Sequence, residues 1–199
     1  MTQDRTYVEA LLHGPMLTGS EVLANPCPVP AAPGVYAWWF DEIPDGVPTT
    51  CCHRRNGHLL LYVGISPKQP PANGKPPSKQ SLRSRVRYHY RGNAEGSTLR
   101  LSLGVLLADH LDIQLRRVGS GTRRTFSTGE QHLSQWMSDH ARITVVEHPR
   151  PWELEEELIR TLDLPLNLDQ NGHHPFKPEL SARRSAAKAQ AAALPVLPR

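Results

Sequence analysis

The chain has 199 residues and no apolar run approaching the ~20 residues that a membrane helix needs. Its longest apolar stretch, residues 59–65, has the length of a strand. It carries only three cysteines, Cys27, Cys51 and Cys52. An odd count with two neighbours makes a poor disulfide framework. Cys51-Cys52-His53 followed by His58 matches no standard zinc spacing, so this stretch reads as a loop with reduced thiols. The start of the chain lacks the charged-then-apolar order of a signal peptide. These absences together lead us to expect a cytoplasmic protein. No internal repeat is present. Hydrophobic residues make up 38% of the chain, enough for one lean domain with terminal extensions. Nineteen prolines and 14 glycines predict many loops, some of them long.

Charge is scarce overall, at a net of +4, but it is unevenly placed. Residues 75–124 hold eleven basic residues against three acids, a net of +8 that leaves −4 on the rest. Lys75, Lys79, Arg83, Arg85, Arg87 and Arg91 open this segment; Arg100, Arg116, Arg117, Arg123 and Arg124 complete it. A polyanion is the natural partner of such a local excess, because neutralising phosphates releases counterions.

Residues 1–32 read as an N-terminal accessory segment, residues 33–170 as the main domain and residues 171–199 as a C-terminal extension. Pro26, Pro28, Pro30 and Pro33 force an extended approach to Gly34–Phe40, which is aromatic and β-prone. Alternation puts Tyr36, Trp38 and Phe40 on one face of that strand and Val35, Ala37 and Trp39 on the other. Residues 59–65 form a second, antiparallel strand with Leu60, Tyr62 and Gly64 on one face, so Tyr36 and Tyr62 point the same way. Ser81 caps a helix that stops at Gly92. Helices are expected over 99–111 and 130–140, a small hairpin around Gly119 and Gly121, and a strand over 142–147. Pro151 opens a helix reaching to about Leu162, and Asn167 follows Pro165 in a turn. Residues 177–199 read as a short helix or a loose tail.

Helical phase selects two charged residues. In the helix opened by Pro151, Leu158, Ile159 and Leu162 define the inward stripe at ~100° per residue. Glu155 falls within it, while Glu153, Glu156 and Glu157 point away. A carboxylate on an apolar face needs a cation or donors, which makes Glu155 a candidate metal ligand. In the helix after Ser81, Leu82, Val86 and His89 face inward and Arg85 stands at their edge, suited to gripping phosphate oxygens. Arg83, Arg87 and Arg91 form a separate outward ridge, a candidate for nucleic-acid binding. Beside Arg85 and a phosphate, His89 becomes a proton carrier. Tyrosine is rarely ionised at neutral pH, so Tyr36 or Tyr62 serves as a base only with help, or merely orients a water.

In this order the pieces resemble the GIY-YIG nucleases over roughly residues 33–168. Gly34-Val35-Tyr36 resembles the first triplet and Tyr62-Val63-Gly64 the second. Arg85 falls on the catalytic arginine of the following helix, Glu155 on the metal-binding glutamate and Asn167 on the downstream asparagine. The resemblance implies an α+β fold with a small three-stranded antiparallel sheet flanked by helices, here with inserted loops and an extra hairpin. It implies metal-dependent phosphodiester hydrolysis, with Mg²⁺ or Mn²⁺ held by Glu155 and phosphate held by Arg85. Tyr36 or Tyr62 would align or deprotonate the water, His89 would assist proton transfer, and Asn167 would brace the site. The loops 41–58 and 66–80 exceed the family's compact core and read as recognition elements. The leading expectation is therefore a DNA endonuclease. The rivals are a catalytically silent nucleic-acid-binding module on the same fold, and a protein-interaction domain using exposed Trp38 or Trp39 and the proline-rich loops.

Overall fold

The computed structural model describes residues 2–71 and 78–198, with the backbone alone for residues 2–4. In chain order the elements are α1 (Thr2–His13), β1 (Leu17–Thr18), α2 (Gly19–Leu23), β2 (Gly34–Phe40), β3 (Arg54–Arg55), β4 (His58–Ser66), α3 (Leu82–Arg91) and α4 (Thr98–Leu106). They continue with β5 (Arg116–Val118), β6 (Arg123–Thr125), α5 (Gly129–His140), β7 (Ala141–Glu147), α6 (Pro151–Thr161) and α7 (Lys177–Ala193).

The aromatic strand β2 sits at the centre of one antiparallel sheet, in the order β1-β7-β2-β4-β3. Every residue of β2 is buried, because helices cover both faces. On one side Tyr36, Trp38 and Phe40 pack with Leu82 and Val86 of α3, Leu99 of α4 and Trp136 of α5. On the other, Val35, Ala37 and Trp39 pack with Leu11 of α1 and Leu154 and Leu158 of α6. The expected three-stranded sheet is thus corrected to five strands. The additions β1 and β3 are two residues long, too short to leave any periodicity, and satisfy backbone groups at the sheet edges. Trp38 and Trp39 are both fully buried, which removes the exposed-tryptophan support for an interaction domain.

One face assignment also changes. Trp38 pairs with Tyr62, but Trp39 pairs with Leu60, leaving Leu61 as a bulge. The extra residue reverses the alternation. Leu60 therefore packs on the α1/α6 side, while Tyr62 stays with Tyr36 on the other.

The hairpin expected around Gly119 is present as β5–β6, with both Gly119 and Gly121 at positive φ. Beyond residue 170 the chain departs from expectation. In place of a short helix or loose tail, α7 runs for 17 residues and buries Leu180 and Ala191. The N-terminal segment likewise joins the packed body, with β1 paired to β7 and Leu11 and Leu12 in the core. Much of the long 66–80 loop, Lys75 included, lies outside the described residues. Among the described residues no helix is long and apolar enough to cross a membrane.

Candidate active site

Glycine at two positions lets the strands and helices converge. A Cβ on Gly34 would run into the Val146 carbonyl and stand 2.7 Å from Leu82 Cδ1, so only glycine admits β7 and α3 this close to β2. A Cβ on Gly64 would stand 2.6 Å from Tyr36 Oη and 2.7 Å from its Cζ. The phenol of the first triplet thus lies over the glycine of the second. Tyr36 and Gly64 are register partners, which is why the triplets meet.

A cleft of about 370 Å³ opens here. Tyr36 of β2, Tyr62 of β4, Arg85 of α3, Glu155 of α6 and Asn167 all line it. Residues 36 to 167 come together through the sheet register and through α6, whose Leu158 and Ile159 dock it on β4 and leave Glu155 half-buried at the edge. His89 does not line the cleft. It is fully buried behind Tyr36, and its Nε2 shares a 2.8 Å hydrogen bond with Tyr36 Oη. Its Nδ1 shares a 2.7 Å bond with Ser97 Oγ, the N-cap of α4. Asn167 pairs with the β4 backbone: its Nδ2 donates to Val63 O and its Oδ1 accepts from Val63 N, both at 2.9 Å. That clamp lies between Tyr62 and Gly64.

Electrostatics follow from burial. Desolvation pushes the Tyr36 phenol well up and Tyr62 shifts the same way, while Arg85 beside them acts in the opposite sense. Desolvation, together with Arg85 and Arg100, pushes His89 well below its usual range, so it is neutral at neutral pH. Desolvation raises Glu155 to about 7; Lys68 lowers it and Asp169 raises it further. Among the described residues, no hydrogen bond or ion pair engages the Glu155 carboxylate. A half-buried carboxylate that makes no ion pair among the described residues suits a hard divalent ion. No group of three or more His, Cys, Asp or Glu converges among the described residues. One or two carboxylates, with the remaining positions for water and substrate oxygens, is the coordination that a Mg²⁺-like ion can take, and Glu155 could be one of them.

The arginine ridge is corrected. Arg83 Nε donates to Val29 O, and Arg87 donates to the carbonyls of Val22, Leu23 and Ala24. Both are half-buried staples between α3 and the segment before β2; only Arg91 of the three is exposed. Arg100 is similar. Its fully buried guanidinium donates to His89 O, Tyr90 O and Ser134 Oγ and pairs with Glu130 at 2.6 Å. Part of the +8 segment therefore holds the fold together.

Sequence reasoning missed three charged cleft residues, Lys68, Asp169 and Arg184. Arg184 comes from α7, and nothing local marks it, because its position depends on where α7 folds back.

No curated protein and no solved structure matches the chain. The family model described as the GIY-YIG catalytic domain matches residues 34–186, well over half of its length and past the start of α7. With its paired triplets in register, its arginine helix and its inward glutamate around one cleft, the chain belongs to the GIY-YIG family.

Proposed function

We propose that the chain is a metal-dependent endonuclease that hydrolyses phosphodiester bonds in DNA. The observation that carries this reading is Glu155, a carboxylate with no hydrogen bond or ion pair among the described residues, raised to about 7 in the cleft that also holds Arg85 and Tyr36.

Glu155 would hold Mg²⁺ or Mn²⁺. The bound cation supplies Lewis-acid polarisation of the phosphate and neutralises the leaving oxygen. Arg85, steadied by its bond from Nη1 to Gly96 O, stabilises charge on the phosphoryl oxygens. Tyr36 orients the attacking water, its own hydroxyl proton held in the hydrogen bond to His89 Nε2. Neutral His89 is the required acceptor, in the tautomer whose Nδ1–H donates to Ser97 Oγ. Tyr62 lies beside Thr98 and Tyr36 beside His89, so Tyr36 takes the role of orienting the water. Asn167 keeps the two triplets aligned through Val63.

The test is cleavage of plasmid and branched DNA by the purified chain with and without Mg²⁺ or Mn²⁺. Cutting should require the metal. Glu155→Gln should abolish it while leaving DNA binding intact, and Arg85→Ala should slow it by about 10²–10³. Absence of any cleavage that depends on both metal and Glu155 overturns the reading and favours a silent binding module.

A further inference from the structure

The cleft has room for one phosphodiester and its waters, so most of a polymeric substrate must lie outside it. Where the cationic donors go separates the residues that hold the fold from those open to a partner. Arg83, Arg87, Arg100, Arg116 and Arg117 all donate to carbonyls or carboxylates. A second group lies beyond the cleft. Among the described residues, no hydrogen bond or ion pair engages the side chains of Arg123, Arg124 or Lys188. Among the described residues, Arg184 hydrogen-bonds Ser102 Oγ at 3.4 Å and lies within the field of Asp169.

The fold gathers this group. Arg184 lines the cleft from α7. Lys188 is exposed one turn further along the same face, about 6 Å away along the axis. The end of that helix is fastened to the hairpin: Arg117 donates to Ala191 O and Leu194 O, and Leu197 bonds the β5 backbone. Arg124 is the cross-strand partner of Arg117 and shares its face. Arg124 N also donates to Glu95 Oε2, adjacent to Gly96, whose carbonyl accepts from Arg85. The hairpin is thus tied both to α7 and to the loop behind Arg85.

Two features call for an anionic partner. Arg117 and Arg124 are like charges directly opposite one another, a destabilising arrangement in a hairpin. Among the described residues Arg124 makes no side-chain hydrogen bond, and its Nε is buried without an acceptor, so its guanidinium is not committed to the fold as that of Arg117 is.

We propose that α7 and the β5–β6 hairpin form a docking surface for the backbone of duplex DNA, running outward from the cleft, with Arg184, Lys188 and Arg124 contacting its phosphates. This rests on the reading of the cleft as a nuclease site. From Arg184 to Ala191 the helix advances about 10 Å, or three base-pair steps. A two-stranded ribbon fits the major groove of B-DNA, whereas the deep, narrow major groove of an RNA helix excludes it.

The experiment is fluorescence anisotropy with a short labelled DNA duplex in the Glu155→Gln background, without divalent metal, over a salt series. Lys188→Ala and Arg124→Ala should each weaken binding and reduce the salt slope by about one. Lys188→Glu, at an exposed position, should weaken it further. Lys188 decides the outcome if Arg124→Ala fails to fold. Unchanged affinity and slope overturn the surface, and equal affinity for a single strand of the same length overturns the duplex assignment. Plasmid cleavage by the unsubstituted chain separates the two readings. Cutting with unchanged binding in the variants removes the surface alone; no cutting with shallower slopes removes the nuclease reading alone.

Discussion

Glu155 shows what a single buried carboxylate does to a protein. Its folded-state pKa of about 7 lies above its ordinary 4.5. Between those values the folded chain holds a proton that the unfolded chain has released. The contribution of this group to stability therefore falls as pH rises from about 4.5 to about 7, and the penalty persists above that. Allowing for partial exposure, it is on the order of 2 kcal/mol. Glu155→Gln should accordingly melt at a higher temperature than the unsubstituted protein at pH 8 without metal, and at the same temperature near pH 4. Adding Mg²⁺ or Mn²⁺ at pH 8 should raise the melting temperature of the unsubstituted protein and leave the variant unmoved. Scanning calorimetry at the two pH values decides it, and identical responses to metal would remove Glu155 as the ligand. Glu155 was legible because a 3.6-residue period puts it on an apolar stripe, where a charge needs a reason. Arg85 was legible by the same phase. The outward ridge expected of Arg83 and Arg87 was not legible as inward, because their partners are carbonyls 54 to 65 positions earlier, which no helical wheel displays.

At the scale of elements, the β2–β4 pair carries the site. The Tyr36 ring covers Gly64, and strand backbone cannot easily retreat. Gly64→Ala should therefore cost about 1–3 kcal/mol through overpacking and push Tyr36 away from His89. Denaturant titration reads the stability, and single-turnover cleavage reads the site. Full cleavage by folded Gly64→Ala would contradict the contact. The strands themselves were clear in the sequence, since Gly34–Phe40 matches the expected boundaries. The bulge at Leu61 was not, because it arises from the fit between β4 and β2 and leaves no mark on β4 alone. The same holds for β1 and β3, which exist only because neighbouring edges present unpaired groups.

Across the whole molecule, Arg100 and Glu130 act as the central strut. Arg100 joins the last turn of α3 to α4 and α5, and Glu130 also accepts from Ala94 N and Phe126 N. Since His89 O is one of the Arg100 acceptors, the strut also fixes the residue behind Tyr36. Glu130→Ala leaves a fully buried guanidinium without its counter-ion and should cost about 3–5 kcal/mol. Equilibrium urea unfolding measures this, and a loss under about 1 kcal/mol would contradict a buried, mutually dependent pair. By itself the sequence determined the two triplets, the phase of the arginine and glutamate helices and the α+β character, because these depend on periodicity and caps over a few residues. Only the tertiary structure decided which arginines serve the fold and which face outward, and how α7 returns Arg184 to the cleft. The physical reason is that donor partners and side-chain burial depend on distances through space between segments far apart in the chain, and local patterns carry no record of those distances.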